Sequence, residues 1–123
     1  MSKLFLLTGS VTGLLAVAIG AFGAHALRDG FDAYAQGIYE TAVHYQMFHT
    51  AAVLFVGVLL LWRPELRLAP AGWAFLVGIL LFSGSLYVLA VTGTRAWGAV
   101  TPFGGVAFLL GWAWLGFIVW RDM

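Results

Sequence analysis

Four apolar runs, each close to the ~20 residues that carry an α-helix across a bilayer, constrain this chain more than any other feature. They extend from about Leu4 to Leu27, Gly37 to Trp62, Ala71 to Val91 and Pro102 to Trp120. Hydrocarbon offers no partner for a backbone N–H or C=O, so a run inside it folds as a helix or as a strand of a closed barrel. These runs are too long and too continuously apolar for the alternating pattern of a barrel strand. The expected fold class is all-α: an integral-membrane four-helix bundle, forming a single transmembrane domain over residues 1–123. Composition agrees. The chain is 63% hydrophobic and 9% charged, against roughly 25% charged in a soluble domain, which leaves too little polar surface to face water.

A formal net charge of +1 with no basic run gives no electrostatic case for nucleic acid. The lack of cysteine excludes disulfides, thiolate metal sites, iron–sulfur clusters and a cysteine nucleophile. The punctuation between runs fits short loops. Thr101-Pro102 reads as an N-cap followed by proline at the first helical position. Pro70 opens the third helix in the same way, and Thr92-Gly93 closes it. Lys3, the first apolar run and Ala24-His25-Ala26 imitate a signal peptide, but the run exceeds the usual ~7–15 residues, so it reads as the first membrane helix. Lys3, Arg63, Arg67 and Arg121 fall at one end, Arg28 and Arg95 at the other. The richer end is expected to be cytoplasmic, with both termini inside.

Small residues recur at helical spacing: Thr12, Ala16, Gly20 and Ala24, with Gly9 and Gly13 beside them, and Gly104, Gly105, Gly111 and Gly116 in the fourth run. Such ridges let helix backbones approach closely, within one chain or between copies. Trp62, Trp73, Trp97 and Trp120 fall at the expected interfaces as an aromatic belt. Trp112 and Trp114 lie deeper, as packing residues.

Polar residues gather at one end of the first two runs: His25, then Glu40, His44, Tyr45, Gln46 and His49. Intramembrane ionisable groups usually face the bundle interior and pair. At ~100° per residue Glu40 and His44 share a helix face, as do Tyr45 and His49, whereas His44 and His49 diverge by roughly 140°. The latter two cannot grip one metal from a straight helix, so a metal or haem site would need His25 together with one of them. Ser83, Ser85, Tyr87 and Arg95 are expected in the same half of the membrane. The simplest reading makes Glu40–His44 an intrahelical hydrogen bond and the other polar groups interhelical glue, worth ~0.6–2 kcal/mol each. Against it stand a ligand site for a metal, haem, quinone or lipid headgroup, using His25, Tyr45, Gln46, His49, Ser85, Tyr87 and Arg95, and an oligomeric ion or proton conduit. No hydrolase, zincin, phosphate-loop or dinucleotide motif is present, so no catalytic residue is expected.

Gly20-Ala21-Phe22-Gly23-Ala24-His25-Ala26-Leu27, Tyr45-Gln46-Met47-Phe48-His49-Thr50-Ala51-Ala52, Phe82-Ser83-Gly84-Ser85-Leu86-Tyr87 and Thr101-Pro102-Phe103-Gly104-Gly105 follow in that order. In these segments the chain resembles the small inner-membrane proteins of the domain-of-unknown-function 423 family, related to the eukaryotic transmembrane protein 256. The resemblance implies a four-helix protein of the bacterial inner membrane with no assigned activity, and it points to His25, Tyr45, Gln46, His49, Ser83, Ser85, Tyr87 and Thr101 as motif positions. The leading expectation is a non-enzymatic packing or accessory protein. Its partners would be membrane lipid, further copies of itself or a larger membrane complex.

Overall fold

The computed structural model describes residues 1–123, except for the side chains of Ala26 and Arg28. Four helices are long and apolar enough to cross a membrane. Helix one is Ser2–Phe22, prolonged by a π-helical turn at Gly23–Leu27 and a 3-10 turn at Arg28–Gly30. Helix two, Ala33–Trp62, begins four residues earlier than the apolar pattern implies. The cause is Asp32, whose carboxylate accepts from Ala35 N at 2.7 Å and caps the first turn. Helix three runs Ala69–Thr92 and carries a π turn at Ile79–Ser83. Helix four is Thr101–Asp122, preceded by a 3-10 turn at Arg95–Ala99.

The punctuation reads mostly as expected. Pro70 and Pro102 stand in the first turns of helices three and four. Gly93 ends helix three in the left-handed conformation, φ 69°, which glycine enters without a Cβ penalty. Thr101 departs from expectation. It is the first helical residue, not the cap, and its hydroxyl turns to Ser85.

Helix one packs on helix two, helix two on helix three, and helix three on helix four. The glycines fix the first pair. Ideal Cβ atoms on Gly9, Gly13 and Gly20 would meet Leu54, Thr50 and Val43 of helix two, so the two helices run antiparallel and the ridge faces its own chain. In helix four, Gly104 lies against the backbone of Phe82 and Gly111 against Phe75, whereas nothing stands within 4 Å of Gly116. A core of Phe5, Val53, Val56, Phe75, Phe108 and Ile118 joins all four helices.

Trp62, Trp73, Trp97 and Trp120 are exposed, as belt residues would be. Trp114 is partly buried against the core, as a packing residue, and stands near the membrane's edge: its indole N–H donates to Arg67 O at 2.6 Å, tying helix four to the loop after helix two. At the opposite end the Arg95 guanidinium lies 4.9 Å over the Tyr34 ring. Arg28, the second basic residue counted at that end, has its side chain outside the described residues.

Candidate functional site

The expected polar cluster exists, and hydrogen bonds within the chain consume most of it. Gln46 spans three helices: its Nε2 donates to Thr12 O at 2.9 Å, and its Oε1 accepts from Tyr87 Oη at 2.6 Å. Thr50 donates to Thr12 Oγ1 at 2.9 Å, and Tyr39 to Ile19 O at 2.6 Å. Ser83 donates to Ala42 O at 2.7 Å. Ser85 and Thr101 hydroxyls meet at 2.6 Å and link helix three to helix four. Among the described residues no buried side-chain nitrogen or oxygen lacks a partner. In a medium without competing water, this network stabilises one arrangement of the helices by roughly 0.6–2 kcal/mol per bond.

His49 closes the set. It is 3% exposed, and its Nδ1 lies 2.8 Å from Tyr45 O while Trp112 Nε1 lies 3.0 Å from its Nε2. A carbonyl only accepts and an indole N–H only donates, which assigns the proton to Nδ1 and leaves Nε2 as the acceptor. The Phe108 ring stacks on the imidazole at 3.5 Å between centroids, 10° from parallel. Trp112 therefore occupies the lone pair that a metal would need.

Other residues of the expected cluster are not brought together. With Gly9 opposite Leu54 and Gly20 opposite Val43, His25 stands near the level of Ile38. At ~1.5 Å rise per residue it is about 16 Å along the bundle from His49. Those two histidines cannot share a metal or haem iron, and among the described residues no three His, Asp or Glu side chains are grouped to hold one. Arg95 turns to Tyr34 beside a polar hollow that also takes in Asp32 and Thr92, away from Gln46 and His49. Glu40 and His44 share a face as expected, yet both are exposed and no hydrogen bond joins them among the described residues.

A groove absent from the sequence reading lies between helices two and four. Its volume is about 670 Å³, and it is open on its lipid side. His44, Tyr45 and Phe48 form one wall, Gly105, Val106, Leu109 and Trp112 the other, with Phe82, Phe108 and His49 between them. Its origin is the seating of helix four on helix three. Gly104 and Gly111 admit Phe82 and Phe75 so closely that the fourth helix is drawn away from the second, and Trp112 reaches back across the gap to His49. Glycines at 104 and 111 were visible in the sequence, but their partners lie 22 and 36 residues away, and no local pattern names them.

Comparison with known proteins agrees with this architecture. Residues 19–105 match the family model described as "Protein of unknown function (DUF423)". The UPF0382 membrane protein YwdK of Bacillus subtilis is 44% identical over 115 residues, covering 89% of this chain and 90% of that protein. The UPF0382 inner membrane protein YgdD of Escherichia coli K12 is 42% identical over 112 residues, covering 91% and 86%. A UPF0382 membrane protein of Staphylococcus epidermidis is 44% identical over 110 residues, 89% of each. No solved structure matches the chain. Four membrane-crossing helices, matched along nearly their full length by these relatives, make this chain a member of the DUF423 family of small membrane proteins.

Proposed function

We propose that this protein is a non-enzymatic membrane protein that holds the apolar tail of an amphiphile in the groove between helices two and four. The groove itself carries the reading. Its ~670 Å³ falls within the range of small-molecule sites, and mostly apolar walls with a few polar groups are what such sites offer. From Pro102 to Trp112 it runs about 15 Å along helix four, half of a ~30 Å hydrocarbon core, which matches one leaflet's depth of tail. The aromatic walls suit a chain with flat or branched segments. Tyr45, on its border, has a hydroxyl that the internal network leaves free and that would meet the tail's polar end. Gln46, His49, Ser85 and Tyr87 serve by holding the helices apart at fixed spacing. The groove end is the one bearing Arg95, which the charge distribution assigns to the outer leaflet, with both termini cytoplasmic.

The test is extraction without detergent followed by native mass spectrometry, which separates a phospholipid from an isoprenoid tail by mass. Gly105→Phe is the decisive variant, because a Cβ there meets only Phe82 Cδ2, at 3.9 Å, and the ring would fill the groove without pushing on backbone. Wild type should retain one defined amphiphile and Gly105→Phe should lose it. Equal adducts on both proteins would reject the reading.

A further inference from the structure

Glu40 and His44 belong to an exposed stripe of helix two, although His44 also borders the groove beside helix four and both flank a hollow against helix one. Gly37, Glu40, His44, Met47 and Ala51 recur at spacings of three and four residues, and every one is exposed. That is the spacing of a left-handed helix–helix seam, common between membrane helices. Met47 and Ala51 are at home against lipid; an unpartnered His44 inside the hydrocarbon is not. With Trp62 at one interface, Glu40 lies about 33 Å and His44 about 27 Å along the helix. A ~30 Å hydrocarbon core then puts Glu40 at the far boundary and His44 just inside it. The interior of this chain has no room for either: Tyr39, Gln46, His49 and Thr50 hold the inward positions of helix two.

We infer that the stripe is the seam of a parallel homodimer, in which Glu40 of each copy hydrogen-bonds the partner's His44. Two copies inserted with the same orientation are related by a two-fold axis along the membrane normal, which sets equal positions opposite each other. Glu40 and His44 stand one helical turn apart, about 6 Å along the axis, and since side chains on parallel helices lean the same way, the two side chains span that step between them. A carboxylate acceptor and an imidazole N–H donor are complementary, and each copy supplies one of each. Two such bonds form per dimer, and no other protein is needed to complete them. Gly37 has nothing within 4 Å of its Cβ position, and together with Ala51 it leaves the backbones free to approach. This inference does not rest on the groove or its occupant.

The chain has no cysteine, so single cysteines introduced into it report directly. Met47→Cys and Ala51→Cys are oxidised in native membranes beside two controls, Leu14→Cys and Leu80→Cys, which are exposed on helices one and three. A disulfide needs Cα atoms within about 7 Å. Dimer bands are expected at 47 and 51 and not at 14 or 80. Adding Glu40→Ala and His44→Ala together should cut them about ten-fold, while the exchange Glu40→His with His44→Glu should restore them. Unchanged thermal unfolding of the monomer in detergent confirms that each variant keeps its fold. Four results overturn the inference: no dimer at the stripe, equal dimer at the controls, dimer that survives the double alanine change, or crosslinks to a different protein alone.

Discussion

Replacing Gly104 by alanine puts a methyl group where the third helix has none to spare. The new Cβ would lie 2.7 Å from both Cα and Cβ of Phe82 and closer still to its backbone nitrogen. Carbon atoms settle at about 3.5–4.0 Å, so helices three and four must part by roughly 1 Å. Backbone cannot rotate aside as a side chain would, and a gap of that size forfeits a quarter to a half of each dispersion contact along the seam. Overpacking of this kind costs about 1–3 kcal/mol. Alanine's better helix propensity returns at most ~1 kcal/mol, so a net destabilisation of about 1–2 kcal/mol is expected. Gly116→Ala, on the same helix, is the matched control. Nothing stands within 4 Å of that position, so only the propensity gain of up to ~1 kcal/mol remains. The propensity gain is common to both, so the two variants should differ by the overpacking cost alone, about 1–3 kcal/mol, in reversible unfolding in bicelles, followed by steric trapping. Agreement to within ~0.5 kcal/mol would refute the packing argument for helix four.

Two further predictions concern the polar network. A double-mutant cycle of Gln46→Leu and Tyr87→Phe should return a coupling of about 0.6–1.7 kcal/mol, the range of hydrogen bonds between membrane helices; zero coupling would remove that bond from the account. Nitrogen-15 spectra of histidine-labelled protein should show His49 carrying its proton on Nδ1, with an Nε2 signal that moves in Trp112→Phe. A proton on Nε2 would contradict the Trp112 hydrogen bond.

The four spans were legible because run length and charge position are local properties, and hydrocarbon admits few alternatives. Helix two starts at Ala33 under the Asp32 cap and not at Gly37; Asp32 and Gln36 interrupt the apolar pattern ahead of the continuous run. The π turns left no sequence mark, since an extra residue per turn changes hydrogen bonding without requiring any particular side chain. Angular counting separated His44 from His49 correctly but could not decide which of them turned inward. That choice belongs to Trp112, 63 residues further on, and to the stacking of Phe108. The cluster was found by residue type, its saturation was not, and the groove followed from Gly104 and Gly111 only once their neighbours were known.

The serial packing of the helices bears on how the protein is made. Each span rests mainly on the one synthesised just before it: helix one waits for helix two, helix two for three, and helix three for four. Contacts between neighbours in sequence form fast, because little chain must be closed to make them. Tyr39, Gln46 and Thr50 can bond helix one during synthesis, whereas His49 must wait for Trp112 to cover its Nε2. Arrival of the last helix is thus the event that completes the interior, because only then does His49 Nε2 gain its donor.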